Sequence, residues 1–461
     1  MRYEHRHGQA THHDSLTGGR HHRRRVAEAV FAALFLAAGV AGTAMAQQAP
    51  PYAETTLTGN WGGTRTDLFD KGVDFSAIFL GDGSYAAGGG TSKIGAFTNT
   101  TILGLNLDLG KMVGWQGASI HLQGTYRMGH SINDRAGIRE FTEAQAQFGG
   151  GVDTGRANEA FFEQKAWSDK VDFKIGRMTF DSNGAGFVPV GCNTMGLNTC
   201  FNPVAWTSII DFGNDVWPGS RYGASLEVHP ISNWYVRVGA FKVTGNGVTH
   251  PGAIEMAALG WNSEVNGLPG TWEVGAWRDT AKFNTADILG PDNPWIALDP
   301  TRPVVKGSSG VYGVVNQQVT KNANNGGLSL EGFGVFDNQN TIALLDQLVG
   351  VGAIYKAPFA SRPFDQIQLY VSRAHANTRF GNGQQLMLSQ GLPTLAYGPI
   401  GEFYLTMTPQ TSYEYVTELD YSAVVYRGLI LMPNIQYIDN PGGNTANHNA
   451  TIIGLQLTAV F

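Results

Sequence analysis

The clearest alternation of apolar and polar side chains in the chain lies in the stretch ATIIGLQLTAVF, residues 450–461. Apolar side chains stand at every odd position from 453 onward, whereas Gln456 and Thr458 between them are polar. Successive side chains of a β-strand point to opposite faces, so the segment forms a strand with one apolar and one polar face. Strands of soluble sandwiches usually have about five to six residues. Transmembrane β-strands have about ten, which this segment matches better.

The same alternation recurs backwards along the chain to residue 73. The predicted strands cover residues 73–86, 97–109, 115–127, 157–168, 170–178, 220–229, 234–243, 253–262, 270–282, 309–319, 327–337, 347–356, 365–376, 411–424, 427–438 and 450–461. Their number is even, as in single-chain bacterial barrels, and about 16 strands leave an aqueous channel. The sequence therefore predicts an all-β protein, a transmembrane antiparallel β-barrel of about 16 strands. Longer connections, predicted as extracellular or infolded loops, cover residues 128–156, 179–219, 283–308 and 377–410.

The first 46 residues carry the three parts of a secretory signal. Arginines at 23–25 precede the mostly apolar run 26–40, and Ala-Met-Ala at 44–46 forms a small-residue cleavage site. The apolar run is shorter than the ~20 residues of a membrane-spanning helix, and Glu28 interrupts it. We therefore expect a signal peptide over 1–46, a periplasmic or plug segment over 47–72 and a barrel in the outer membrane of a Gram-negative bacterium over 73–461.

The charge of the exported chain disfavours nucleic acid as a partner. Residues 1–46 contain six Lys and Arg and three Asp and Glu, so 25 basic and 34 acidic residues remain, a net charge of −9. Phosphate contacts need clustered Lys and Arg. The histidines and serines show no nucleophile-elbow or metal-ligand spacing, so we predict no catalytic residue and no metal site.

Two cysteines, Cys192 and Cys200, lie eight positions apart in the stretch GCNTMGLNTC. In an exported protein such a pair predicts a local disulfide that closes a short loop. A zinc site would need further ligands, and neither Cys-x-x-Cys nor paired histidines accompany the two cysteines.

Five stretches, in order, resemble the carbohydrate-selective porins of the OprB type. They are LTGNWGGTRTDLFDKGVDFSAIFLGD (57–82), FFEQKAWSDKVDFKIGRM (161–178), the cysteine-bearing loop through to WPGSRYG (217–223), LPGTWEVGAWRDT (268–280) and MPNIQYIDNPGG (432–443). The resemblance implies a sixteen-stranded outer-membrane barrel that passes monosaccharides, usually glucose, by passive diffusion without a cofactor. It also implies contact with outer-membrane lipid and lipopolysaccharide. It leaves open which sugars pass and whether the barrel acts alone or as a homo-oligomer.

Strand parity, the alternation of side chains between the two faces of each strand, predicts which residues face the lumen, independently of the resemblance. Arg127 shares a face with His121 and Gln123, and Glu159 shares a face with Glu163. A Lys or Arg on the lipid face costs about 2–4 kcal/mol at mid-membrane, so these charges are placed inward. The same parity places further residues inward: Lys165, Arg221, Glu227, Arg237, Glu273 and Trp277.

A sugar presents hydroxyl groups and a flat apolar face, which suit charged donors, carboxylate acceptors and aromatic rings. We therefore hypothesise a constriction formed by Arg127, Glu159, Glu163, Arg177, Arg221 and, from an infolded loop, Trp206 and Trp217. Strict alternation with Phe173 and Ile175 turns Arg177 outward, so its inclusion assumes a bulge just before it. In the alternative interpretation these charges pair with one another and only hold the wall and loops together.

Three other functions fit parts of the sequence. A general or anion-favouring diffusion porin shares the barrel but not the sugar preference. An outer-membrane enzyme would need catalytic spacings that the histidines and serines do not show. A secreted, glycan-binding β-protein would bury the apolar strand faces against a second sheet.

Overall fold

Sixteen antiparallel strands close into one barrel, in which each strand pairs with its sequence neighbours and the last pairs with the first. The computed structural model describes residues 50, 52–145, 153–179, 184–187, 219–244, 248–284, 304–324, 326–338, 345–377, 389, 395–397, 403–405 and 412–461. The predicted signal peptide, 1–46, lies outside these residues. The number of barrel strands and their antiparallel order are confirmed.

In chain order, the barrel strands are β1 (Val73–Gly88), β2 (Gly95–Asp108), β3 (Ala118–Gly129), β4 (Thr154–Ala166), β5 (Val171–Met178), β6 (Arg221–Ile231), β7 (Trp234–Val243), β8 (Gly252–Val265), β9 (Leu268–Asp279), β10 (Ser309–Gln318), β11 (Gly327–Asp337), β12 (Leu345–Lys356), β13 (Gln366–Ala376), β14 (Tyr413–Tyr426), β15 (Leu429–Asp439) and β16 (Ala450–Val460). Short strands outside the barrel are Val248–His250, Lys282–Asn284, Val304–Lys306, Leu395–Tyr397 and Phe403–Leu405.

The two ends of the barrel differ in the length of their connections. At one end, two-residue turns join β8 to β9 through Asn266-Gly267 and β14 to β15 through Arg427-Gly428. Asn266 and Gly267 have φ of 55° and 73°, the left-handed conformation that two-residue hairpin turns require. The opposite end carries long loops, among them L2 (130–153), L3 (179–220) and L8 (440–449). Barrels of this type place short turns in the periplasm and long loops outside the cell.

Within the described residues, two helices precede β1 and two lie in connections between strands: α1 (Tyr52–Thr55), α2 (Thr64–Asp70), α3 (Leu109–Val113) and α4 (Ile132–Ala136), with 3₁₀ turns at Trp61–Gly63 and Pro441–Gly443. Asp108 caps α3 by accepting from the Lys111 N–H at 3.1 Å, and Ser131 caps α4 by accepting from the Asn133 N–H at 3.0 Å. None of the helices in the described part of the chain is long and apolar enough to cross a membrane.

The N-terminal segment crosses the seam between β1 and β16 at the periplasmic end. The Tyr52 hydroxyl donates to Asp74 Oδ1 at 2.6 Å, and the Arg65 guanidinium lies 4.1 Å from the centre of the Tyr52 ring. The Leu57 N–H donates to the Val460 carbonyl at 2.7 Å. The Arg427 guanidinium donates to the Ala53 carbonyl at 2.8 Å. The segment therefore contacts both strands that close the barrel.

The two faces of the barrel wall separate apolar from polar side chains, as the alternation predicts. On β16, Leu455 is 48% exposed on the outer face, whereas Gln456 next to it is 1% exposed on the inner face. Two buried apolar clusters lie where loops fold against the inner wall. One joins Phe187 of L3 to Phe241 of β7, and the other joins Ile132 of α4 to Ile452 of β16.

Candidate functional site

A network of ions and hydrogen bonds covers the inner wall from β3 to β5. The Glu163 carboxylate binds His121 Nε2 at 3.0 Å, accepts from the Ser119 hydroxyl at 3.1 Å and lies 3.6 Å from Lys174 Nζ. Lys174 also lies 3.7 Å from Asp172, so a cation stands between two carboxylates. The His121 ring stacks on Phe161 with centroids 4.6 Å apart. This part of the wall thus holds compensated charges beside an aromatic face.

A second network lies on β6, β7 and β9 and is centred on Arg237. Its guanidinium bonds to Glu227 on one side and lies 3.0 Å from Glu273 Oε2 on the other. Glu273 also accepts from the hydroxyls of Tyr235 and Tyr312, each at 2.7 Å. Side chains of Arg237 and Glu273 are almost fully buried, where charged hydrogen bonds are strong and unpaired charges are costly.

Three tyrosines each lie over a glycine and donate a hydrogen bond to a carboxylate of the inner wall. Each stands directly across from a glycine of a neighbouring strand: Tyr235 from Gly260, Tyr312 from Gly275 and Tyr370 from Gly352. A side chain at any of these glycines would overlap the ring, since its Cβ would lie within 2.4 Å of ring atoms. The rings therefore lie flat along the wall over the missing side chains. Their hydroxyls reach Glu273 in two cases and Glu331 at 3.3 Å in the third.

Part of loop L3 lies inside the barrel against these two networks. Lys174 Nζ donates to the Gly184 carbonyl at 3.0 Å, and the Arg237 guanidinium donates to the Gly186 carbonyl. Phe187 is fully buried and meets Phe241 edge to face with centroids 6.1 Å apart. The stretch 184–187 is thus held to the wall by two cations and one aromatic contact.

Loop L2 folds inward against β14, β15 and β1. The Glu414 carboxylate accepts from the backbone N–H groups of Phe141 at 2.8 Å and Thr142 at 3.2 Å, and from Gly442 of L8 at 2.6 Å. Gln145 donates to the Asp82 carbonyl at 3.0 Å. One carboxylate therefore joins two loops to the wall.

The L2 carboxyl group of Glu143 is fully enclosed. It accepts from the Ser131 hydroxyl, the residue that caps α4. Burial raises the pKa of Glu143 to about 8, because the charged form loses its hydration. Burial therefore favours the protonated, uncharged form of this side chain.

Acidic and amide side chains line the wall below L2. Asp82, Glu418 and Asp420 interact electrostatically. The Asp420 carboxylate lies against Glu418, and both polar atoms of the Gln456 side chain are buried without a hydrogen-bond partner among the described residues. Gln456 stands directly across from Asp82. Asp420 and Gln456 are each 1% exposed, so these polar atoms are enclosed in the wall and are not open to a solute in the lumen.

The structure places four of the predicted constriction residues on the inner face. Arg127 is 4% exposed between Thr100 and Thr154 of the flanking strands. Glu159 accepts from the Thr179 hydroxyl at 3.2 Å. Arg221 donates to the Lys242 carbonyl at 2.8 Å.

Glu163, the fourth, lies in the network of Lys174 described above. The residues that bind it were not in the predicted constriction: Ser119, His121, Lys165 and Lys174.

The inward placement of Arg177 is wrong. Arg177 stands directly across from Ala160 and Tyr222, both exposed on the outer face, and its Nε donates to Ser220 Oγ at 2.8 Å. The backbone before it is irregular, since Gly176 has φ of 148°, but the register stays continuous and the alternation persists. Trp206, Trp217, Cys192 and Cys200 lie outside the described residues.

The sequence does not single out Arg237, the centre of the second network, as a site. Strand parity places Arg237 and Glu273 inward, but it gives no reason to join them. The available signal was a glycine at an inward position of a strand, such as Gly260 or Gly275, because such a glycine marks a close approach from the neighbouring strand. Over the part of the chain that the structure describes, no group of three His, Cys, Asp or Glu side chains is arranged to hold a metal ion.

Comparisons with known proteins agree with this architecture. The family model described as carbohydrate-selective porin, OprB family, matches residues 96–461. Porin B of Pseudomonas aeruginosa is 30% identical, with 92% of this chain and 95% of that protein covered. The putative porin QuiX of Acinetobacter baylyi is 25% identical, covering 88% of this chain and 93% of that protein. The high-pH structure of Pseudomonas putida OprB superposes with a TM-score of 0.75 at 28% identity, over 89% of this chain and 99% of that one.

Three findings agree. The family model matches most of the barrel, one relative is 30% identical, and a solved relative has the same closed barrel. This chain belongs to the OprB family of carbohydrate-selective porins, channel proteins of the Gram-negative outer membrane.

Proposed function

We propose that this porin lets monosaccharides such as glucose diffuse passively into the periplasm. The observation that carries the proposal is the charge compensation along the inner wall. Arg237 stands between Glu227 and Glu273, and Lys174 stands between Glu163 and Asp172. The partly exposed members of these pairs, Lys174, Asp172 and Glu227, offer hydrogen-bond donors and acceptors to a neutral solute, while the fields of the paired charges largely cancel. Such a wall favours a polyhydroxylated molecule over an ion.

Weak binding along the path serves this function. A hydrated sugar exchanges water for protein hydrogen bonds as it enters, and flux requires that each site also release it. The His121 ring, stacked on Phe161, borders the network on β3 to β5. We keep Arg127, Glu159, Glu163 and Arg221, with Trp206 and Trp217, as the proposed constriction.

Liposome swelling tests the proposal directly. Purified protein in liposomes is challenged with glucose, with sugars of increasing size and with amino acids of similar size. We expect glucose to enter faster than an amino acid of equal size. The second candidate, a general diffusion porin, predicts rates that follow size alone, and that result would refute the sugar preference while keeping the pore.

A planar-bilayer comparison tests the constriction. Arg127→Ala should change single-channel conductance and the block of ion current by glucose. Arg278→Ala is the matched control, because Arg278 is 68% exposed and pairs with Glu255 on the outer face. If Arg127→Ala behaves like Arg278→Ala in both measurements, Arg127 does not belong to the constriction.

A further inference from the structure

A groove of about 610 Å³ lies on the outer face of the barrel, across strands β7 to β12. Glycines on β10 and β11, Gly313 and Gly332, form part of its floor. A Cβ added at Gly313 would meet no atom closer than 3.8 Å, so the missing side chain itself leaves this space. Leu259, Val274 and Val351 border the groove and are 43%, 60% and 65% exposed. The groove is therefore an apolar depression in a wall that faces lipid.

Three tryptophans form one end of the groove. Trp234, Trp261 and Trp272 stand directly across from one another on β7, β8 and β9. Their rings follow one another with centroids 5.8 Å and 6.4 Å apart. Trp234 is the first residue of β7, at the end with short turns. Tryptophans gather where the hydrocarbon meets the headgroups, so this end of the groove marks the periplasmic surface of the membrane.

The groove leads from that surface toward the middle of the membrane. In register, Trp272 is followed by Val315, Gly332 and Val351 on the next three strands. Strands in such barrels tilt by about 35–45°, so a row perpendicular to the strands climbs through the bilayer. Val351 lies five residues from the periplasmic end of its strand, about 16 Å along the strand and about half the hydrocarbon thickness.

We propose that this groove binds one acyl chain of a phospholipid from the periplasmic leaflet. The turn between β10 and β11 provides a partner for the headgroup, because Lys321 in this turn is exposed. An ammonium group at the membrane surface attracts the phosphate of a lipid. The groove and the lysine thus belong to the same hairpin, with the apolar space in the membrane and the positive charge at its edge.

The size of the groove favours a lipid chain over a second copy of the protein. Thirteen residues line it, whereas a specific protein interface uses about 20–30 residues on each side. Its volume lies within the range of about 300–1,000 Å³ that is typical of small-molecule sites. Lipid A belongs to the opposite leaflet, away from the tryptophan end.

Native mass spectrometry of the full exported chain tests the proposal. The protein is loaded in detergent with palmitoyl-oleoyl-phosphatidylglycerol, or with lipid A at equal concentration. We expect one phospholipid per chain to be retained. Gly313→Phe fills the groove and should lower the retained fraction at least five-fold. Gly83→Phe is the matched control, because Gly83 faces outward on β1 and also has free space, with its nearest neighbour at 3.9 Å.

Lys321→Gln should lower retention about five-fold, the effect of one basic residue at a membrane surface. Three results would each overturn the proposal. They are equal retention by the Gly313→Phe and Gly83→Phe variants, preferential retention of lipid A, and a second protein copy in place of the lipid.

A fluorescence measurement keeps the test valid if Gly313→Phe does not fold. Phospholipid brominated on its acyl chain quenches nearby tryptophans. Wild type and two variants, Trp272→Phe and Trp115→Phe, are compared at the same lipid concentration. Trp115 is also exposed near the periplasmic end, but lies before β3, outside the groove. We expect Trp272→Phe to remove more of the saturable quenching than Trp115→Phe, and equal losses would contradict a site at the groove.

Discussion

Replacing Arg237 by methionine tests whether the paired charges hold loop L3 in the lumen. The side chain bonds to Glu227, Glu273 and the Gly186 carbonyl, and its exposed fraction is 9%. Methionine keeps much of the volume but none of the donors. Two carboxylates then lose their cation, and the stretch 184–187 keeps only Lys174 as a charged anchor.

The size of the effect follows from burial. Removing one partner of a buried ion pair costs about 3–5 kcal/mol. Glu273 keeps the hydroxyls of Tyr235 and Tyr312, so we expect the lower part of that range. Arg278→Met removes an exposed pair with Glu255 and should cost about 0–1 kcal/mol. The comparison separates a buried network from a surface ion pair in the same barrel.

Two measurements decide the outcome. Urea titration in phospholipid vesicles gives the free energy of unfolding, and planar bilayers give the single-channel conductance. We expect Arg237→Met to be less stable than Arg278→Met and to conduct more, because the released L3 stretch narrows the lumen less. If both variants match each other in stability and in conductance, the reasoning from burial and loop anchoring is wrong.

Three further predictions follow from the placement of single residues. Arg177→Ala should leave glucose swelling rates unchanged because the side chain is on the outer face, and a slower rate would return Arg177 to the sugar path. Glu414→Gln should increase hydrogen exchange at Phe141 and Thr142 about ten-fold, since two charge-assisted acceptors weaken; an unchanged rate would show that other contacts hold L2. The pKa of Glu143, raised to about 8 by burial, lies above its ordinary value of about 4.3. The packing of L2 should therefore be most stable below about pH 4 and lose stability, by roughly 1 kcal/mol per pH unit, as pH rises toward 8. Hydrogen exchange of L2, corrected for its intrinsic pH dependence, measures this loss, and a similar slope in Glu143→Gln would contradict it.

Strand alternation predicts most of the barrel because every strand has one face toward lipid and one face toward the lumen. Leu455 must face lipid and Gln456 must face the lumen, so the pattern is strict and readable over many strands. The same rule places Arg127, Glu159 and Glu163 inward. The same alternation places Arg177 outward. The continuous register between β4 and β5 agrees with this placement and contains no bulge before Arg177.

The contacts inside the lumen could not be predicted in the same way. Parity fixes the face of a residue but not its distance from residues on other strands. Glu414 of β14 binds the backbone of L2, which is 272 residues away in sequence at Thr142. Arg237 meets Glu273 only because β7, β8 and β9 are adjacent and because small residues leave room for the tyrosine rings. Such contacts depend on barrel curvature and loop insertion, which leave no periodic signal in the sequence.

The seam contacts of the N-terminal segment have a consequence for the order of assembly. The carbonyl that Leu57 binds belongs to Val460, and the Phe461 N–H donates to the Ala77 carbonyl. The contact of Leu57 with β16 therefore forms only when the last residues have been synthesised and delivered, whereas Tyr52 and Asp74 are only 22 residues apart. Joining strands this far apart in sequence is intrinsically slow, because the chain entropy is lost before the contacts are gained. The contacts of Leu57 with Val460 and of Ala53 with Arg427 should thus form last, as a step that completes insertion rather than one that initiates it.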